Sequence, residues 1–151
     1  MSRIHDQIFA SMKQMKEQMG EMGKKLMLPP PSMLTLKHHY IGYTEGVSLT
    51  AEVPFNPDFV NPVGYFQGGF LAAAIDDVYG PLSYMSTGGP CVSLDFNIKF
   101  IRPFVSEQKL VIIEAVIISK TKSIITMEAK MKSPEGKILA ISSMTSMILK
   151  N

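Results

Sequence analysis

Apolar positions change their spacing along the chain, and the changes mark its elements. In the first 27 residues Ile8, Met12, Met15, Met19 and Met22 recur at alternating steps of four and three, the spacing of a narrow seam on one helix face. Lys13, Lys16, Glu17, Glu21, Lys24 and Lys25 take the other faces. Ser2 can cap the start, so the spacing predicts a helix over 2–27. Gly20 and Gly23 weaken its end, and Pro29-Pro30-Pro31 stops it. The seam predicts packing on the chain's own domain or on a sister subunit. A soft, Met-rich docking face for a partner or a membrane is the alternative.

Residues 39–53 read as strand, with a turn near Gly42 or Glu45-Gly46. Pro54, Asn56-Pro57-Asp58, Asn61-Pro62 and Gly64 make 54–66 loop-rich. After Gln67-Gly68-Gly69, the residues Leu71, Ala74, Ile75, Val78, Leu82 and Met85 return to helical spacing and predict a largely buried helix. Pro81 within it is expected to kink it or cut it short, and Gly88-Gly89-Pro90 closes the segment. Four β-rich stretches follow at 91–102, 109–119, 123–132 and 137–149, with Ser133-Pro134-Glu135-Gly136 as a hairpin turn. Strand, buried helix and antiparallel meander together predict an α+β fold, a curved sheet wrapped around one apolar helix. The expected division is 1–31, an amphipathic helix and Pro-rich linker, and 32–151, one globular domain.

Composition narrows the function. With 46% hydrophobic and 19% charged residues the chain is globular in type. A net charge of +2 gives no pull toward nucleic acid or acidic membranes. The one cysteine, Cys91, excludes an internal disulfide, and there is no metal-binding Cys/His cluster. No apolar run is long enough to span a bilayer and no signal peptide is evident, so the expected compartment is the cytoplasm.

The candidate chemistry sits at the buried helix. Gly68-Gly69 opens it, leaving backbone N–H groups directed outward at the positive end of the helix dipole, open to close approach. That arrangement suits an oxyanion. Two turns on stand Asp76 and Asp77. Gly69, Ala72, Gly80 and Ser83 share the Asp76 face and leave room for a substrate or a neighbouring helix. Ala73, Pro81 and Tyr84 crowd the Asp77 face. The plain structural alternative is that both carboxylates are solvated or paired with Lys or Arg; spacing alone leaves the two readings even.

The segment from Asn61 to Asp77 resembles the hotdog thioesterases of the phenylacetate-pathway and thioesterase-superfamily-member type, in which an Asn precedes a His-Gly-Gly by six residues and an Asp follows that His by nine. Here Asn61, Gln67-Gly68-Gly69 and Asp76 keep both spacings. Val92-Ser93-Leu94-Asp95-Phe96-Asn97-Ile98, Thr121-Lys122-Ser123 and Glu135-Gly136-Lys137-Ile138-Leu139-Ala140 resemble the family's later motifs, so the likeness covers about 36–149. It implies a hotdog fold and an acyl-CoA thioesterase that works as a homodimer or homotetramer. No cofactor is implied beyond the coenzyme A carried by the substrate, and no metal. It makes Asp76 the general base or nucleophile, and lets Asn61, across the dimer interface, position the water or thioester. The Gly68 N–H would hold the oxyanion, Ser93 would line the site, and Lys122 and Ser123 would lie near the CoA phosphates. Gln67 and Thr121 depart from the family's His and Gly. Gln67 can hydrogen-bond and orient the loop but accepts no proton at neutral pH.

Other residues compete weakly. Cys91, entering a strand with no nearby His, reads as a small buried hydrophobe. His38 and His39 read as surface or packing residues, and Arg102 as a solvated or interface charge. Hydratase chemistry in related folds uses a His paired with an acid, whereas all three histidines here precede residue 40. The alternative function is a non-catalytic acyl-CoA-binding or regulatory module, which Gln67 makes plausible.

Overall fold

The computed structural model describes residues 3–149, so the expected Ser2 cap lies outside it. Six strands form one antiparallel sheet: β1 (His39–Thr44), β2 (Ser48–Pro54), β3 (Cys91–Phe100), β4 (Leu110–Lys120), β5 (Ile124–Lys132) and β6 (Ile138–Ile148), in the order β1-β2-β4-β5-β6-β3. The turn between β1 and β2 forms at Glu45-Gly46, where Gly46 takes a φ of 68°. Gly42 instead sits at a register irregularity within β1. Along β2, β5 and the first half of β4 every second side chain is buried, the mark of a sheet with one face on the core. β3 differs. It is one of the sheet's two edges, and most of its side chains are exposed.

The expected buried helix is α4 (Gly68–Thr87), which lies across the inner sheet face and touches β2 through β6. Leu71, Ala74, Ile75, Val78 and Leu82 form its buried stripe. Pro81 does not end it; the helix runs on to Thr87. Proline has no N–H to give the carbonyl four residues earlier, here that of Asp77, and the buried Tyr40 hydroxyl donates to that oxygen at 3.0 Å instead. The gap in the helix ladder is closed from β1.

The N-terminal helix is shorter than its spacing predicts. α1 (Arg3–Gln18) is separated from α2 (Gly20–Lys24) at Gly20, whose φ of 55° breaks the helical path well before the prolines. Ile8 and Met12 join the core beside α4, whereas Met22, past the break, is 43% exposed. Pro31 begins a further short helix, α3 (Pro31–Thr35). The segment after it is tied to α4: Ser32 Oγ donates to the Asp77 carboxylate at 2.9 Å, and the buried His38 ring meets the Ala74 carbonyl at 2.8 Å. His38 is thus a packing residue, and Cys91 is buried as expected.

Candidate active site

Asp76 and Ser93 open onto one cavity of about 150 Å³. α4 presents Asp76, and helical spacing brings Tyr79, Gly80 and Ser83 to the same space, with Met144 and Ser146 of β6 opposite. Ser93 lies where β3 carries one extra residue against β6: Ser93 pairs with Ser146, and Asp95 already with Thr145. Such a bulge re-aims the side chains beside it, and Ser93 Oγ points to Met144 Sδ at 3.6 Å. Burial, and then repulsion from Asp77, holds the Asp76 carboxyl above the usual carboxylate range. Asp77 is pushed up to about 6 by burial, against the hydrogen bond from Ser32, which pulls it down. The two faces expected of α4 are not kept apart by this cavity: Asp77, Pro81 and Tyr84 line it together with Asp76, Gly80 and Ser83, and the two carboxylates differ instead in exposure and partners. Asp76 stays exposed and has no hydrogen-bond partner among the described residues, while Asp77 is half-buried and engaged with the N-terminal segment.

Asn61 and Gly68 form a second cleft of about 340 Å³, with Phe100 and Arg102 among its walls. Asn61 organises its own loop: its Oδ1 accepts from the Val63 N–H at 3.1 Å and the Tyr65 N–H at 3.0 Å. That spends the carbonyl end of the amide and leaves its NH2 to donate elsewhere. The loop returns to α4 through the Gln67 N–H, which donates to the Phe59 carbonyl at 2.7 Å. Phe70 and Leu71 N–H groups both reach the Gln67 carbonyl. The Gly68 and Gly69 N–H groups, ahead of the first helical bond, find no partner among the described residues. Gln67 is the N-cap residue, but its side chain makes no capping bond. A Cβ at position 68 would come within 3.2 Å of the Phe100 ring, so glycine keeps that N–H accessible beside an aromatic wall.

The two pairs are not brought together. Their cavities share no residue, and eight residues of helix put Gly68 and Asp76 about 12 Å apart. No carbonyl group can meet both at hydrogen-bond distance within one chain.

Lys122 and Ser123 are exposed in the β4–β5 turn. Thr121 builds that turn, its Oγ1 accepting from the Ile124 N–H at 3.0 Å. The Ile148 N–H donates to the Ser123 carbonyl at 2.8 Å, which fixes the turn at the end of the sheet where β3 begins, the Ser93 end. Arg102 donates to the Ile138 carbonyl at 2.7 Å and borders the Asn61 cleft. Of the residues not anticipated at the site, Met12, Leu28 and Pro30 line the Asp76 cavity from the N-terminal segment, and Cys91, Met144 and Ser146 line it from β3 and β6. Only the burial expected of the Met seam pointed toward one of them.

A curved six-stranded antiparallel sheet around one long helix, with a carboxylate and a glycine-opened helix start on that helix, is the hotdog architecture expected from the sequence. Residues 64–140, just over half of the chain, match the family model of the thioesterase superfamily, and the chain belongs to that superfamily. Solved structures agree. A phenylacetic acid degradation-related protein from Ralstonia eutropha JMP134 is 27% identical with a TM-score of 0.72, over 91% of this chain and 98% of that one. The E. coli PaaI protein from the phenylacetic acid degradation operon shares the fold at a TM-score of 0.76 and 16% identity, over 95% and 97% of the two chains. The Streptococcus mutans UA159 protein smu.793, solved bound to acetyl CoA, shares it at 0.70 and 13%, over 84% and 95%. No curated protein sequence matches the chain significantly. Among the described residues no helix is long and apolar enough to cross a membrane.

Proposed function

We propose that the chain hydrolyses acyl-CoA thioesters to the free acid and CoA, at a site completed between two copies of itself. The observation that carries this reading is the separation of the half-sites: a carboxylate with no ion-pair partner in one cavity, and free helix-start N–H groups with an unspent amide in another. A symmetric dimer sets the Asp76 half of one copy against the Asn61 half of the other. The β3 edge supports assembly, since Val92 and Leu94 are 41% and 56% exposed on a strand paired on one side only. A structural neighbour bound to acetyl CoA supports a CoA ester as the ligand.

In this mechanism Asp76 takes a proton from water as the water oxygen bonds to the thioester carbonyl carbon. The Gly68 N–H donates to the oxyanion that forms, and the Asn61 NH2 holds the thioester or the attacking water. The C–S bond then breaks, and the CoA thiolate leaves with the proton returned by Asp76. Lys122 and Ser123, in an exposed turn at the Ser93 end of the sheet, attract the CoA phosphates. The raised Asp76 carboxyl suits a base that must also give its proton back.

Free-thiol release from a panel of acyl-CoA esters tests this reading. Wild-type protein is expected to turn them over, and Asp76→Asn to lower kcat by about a hundredfold or more with a much smaller change in KM. The second reading is a non-catalytic acyl-CoA-binding module, favoured by Gln67 at the family's His position. Acyl-CoA binding with no thiol release from wild type establishes it instead.

A further inference from the structure

The Asp76 cavity is closed at one side by residues that the thioesterase reading does not use. Met12 comes from α1, and Leu28 and Pro30 from the link between α2 and α3; all three line the cavity that holds Asp76 and Ser93. None lies in the span that matches the superfamily. Met12 is only 2% exposed, so its side chain is committed to this wall and the adjoining core. The segment is held in place beside the cavity. Ser32 Oγ donates to the Asp77 carboxylate at 2.9 Å, and the Tyr40 hydroxyl to the Asp77 carbonyl at 3.0 Å, one residue from Asp76.

Resting on the thioesterase reading, we propose that the N-terminal segment is the end wall of the acyl-group subsite, and that Met12 and Leu28 set the longest acyl chain the enzyme accepts. With the thioester carbonyl beside Asp76, the acyl group extends into the cavity. A space of about 150 Å³ is of the order that accommodates a benzene-sized group. A longer chain meets Met12 and Leu28. Methionine and leucine suit this task because they offer apolar contact with no polar atom to satisfy.

The test is a chain-length profile from acetyl- to dodecanoyl-CoA for wild type, Met12→Ala, Leu28→Ala and Leu28→Trp. Leu28 is half-buried in a connecting segment, so its variants keep the test sound where Met12→Ala lowers stability. Both alanine variants are expected to raise the ratio of kcat/KM for decanoyl-CoA over butyryl-CoA by about tenfold, what roughly two methylene groups of new space are worth. Leu28→Trp should shift the profile the other way. A profile that stays the same in the Leu28 variants, with wild type active, overturns the wall and leaves the thioesterase reading standing. A wild type that hydrolyses no ester overturns that reading, and the wall with it.

Discussion

Two adjacent carboxylates on α4 serve different ends because their surroundings differ. Asp76 faces a cavity flanked by Gly80 and Ser83, so water reaches it. Asp77 borders the same cavity but is tied to the N-terminal segment by Ser32, and its other oxygen is buried without a partner. That burial is why its carboxyl titrates near 6 rather than near 3.8. A carboxyl raised on folding stabilises the fold most when it is protonated. This contribution is complete below about pH 4 and is lost as pH rises through about 6. At neutral pH the buried charge therefore costs stability, on the order of 1–2 kcal/mol after screening by solvent. Asp77→Asn keeps an oxygen for Ser32 and removes the charge. Its melting temperature should exceed that of wild type at pH 7.5, and the difference should vanish at pH 4. A gain of equal size at both pH values, read by calorimetry, would contradict this origin.

At the scale of the elements, α4 depends on a strand that precedes it by nearly thirty residues. Pro81 removes the hydrogen bond that the Asp77 carbonyl would otherwise receive, and the Tyr40 hydroxyl restores it from β1. Tyr40→Phe leaves that carbonyl buried and unpaired, which should lower unfolding free energy by about 1–3 kcal/mol. Urea titration measures it, and a change within about 0.3 kcal/mol would show that water replaces the hydroxyl. The same pair marks where sequence reading stops. The strands were legible to within one or two residues, because β-branched runs such as Val111-Ile112-Ile113 and turn signals such as Ser133-Pro134-Glu135-Gly136 act locally. The start of α4 at Gly68 was legible for the same reason. Continuation through Pro81 was not, since the group that repairs it lies elsewhere in the chain. The helix break fell at Gly20 rather than at the prolines, because α1 packs its Ile8–Met12 face on the core and nothing comparable holds Met22. Of the candidate site, Asp76, Ser93, Asn61 and Gly68 stand in motifs that could be named from the sequence. Met12, Leu28 and Pro30 could not, because their place at the cavity follows from how the N-terminal segment crosses α4.

For the whole molecule, one chain holds every proposed catalytic group yet cannot bring them to one carbonyl. Gly68 and Asp76 face separate cavities along the same helix. The β3 edge, with Val92, Leu94 and Phe100 exposed, is the surface on which a second copy would remove apolar area from water. A site shared in this way makes a strong genetic statement. An Asp76→Asn subunit still carries the Asn61 half, and an Asn61→Ala subunit still carries Asp76. The direct measurement is acyl-CoA hydrolysis by a mixed dimer of the two, co-expressed with different tags and purified through both. Each parent homodimer should be nearly inactive, while the mixed dimer contains one intact site of two and should recover about half of the wild-type kcat. A mixed dimer as inactive as its parents would place Asn61 and Asp76 of the same chain in one site, and would contradict the shared site.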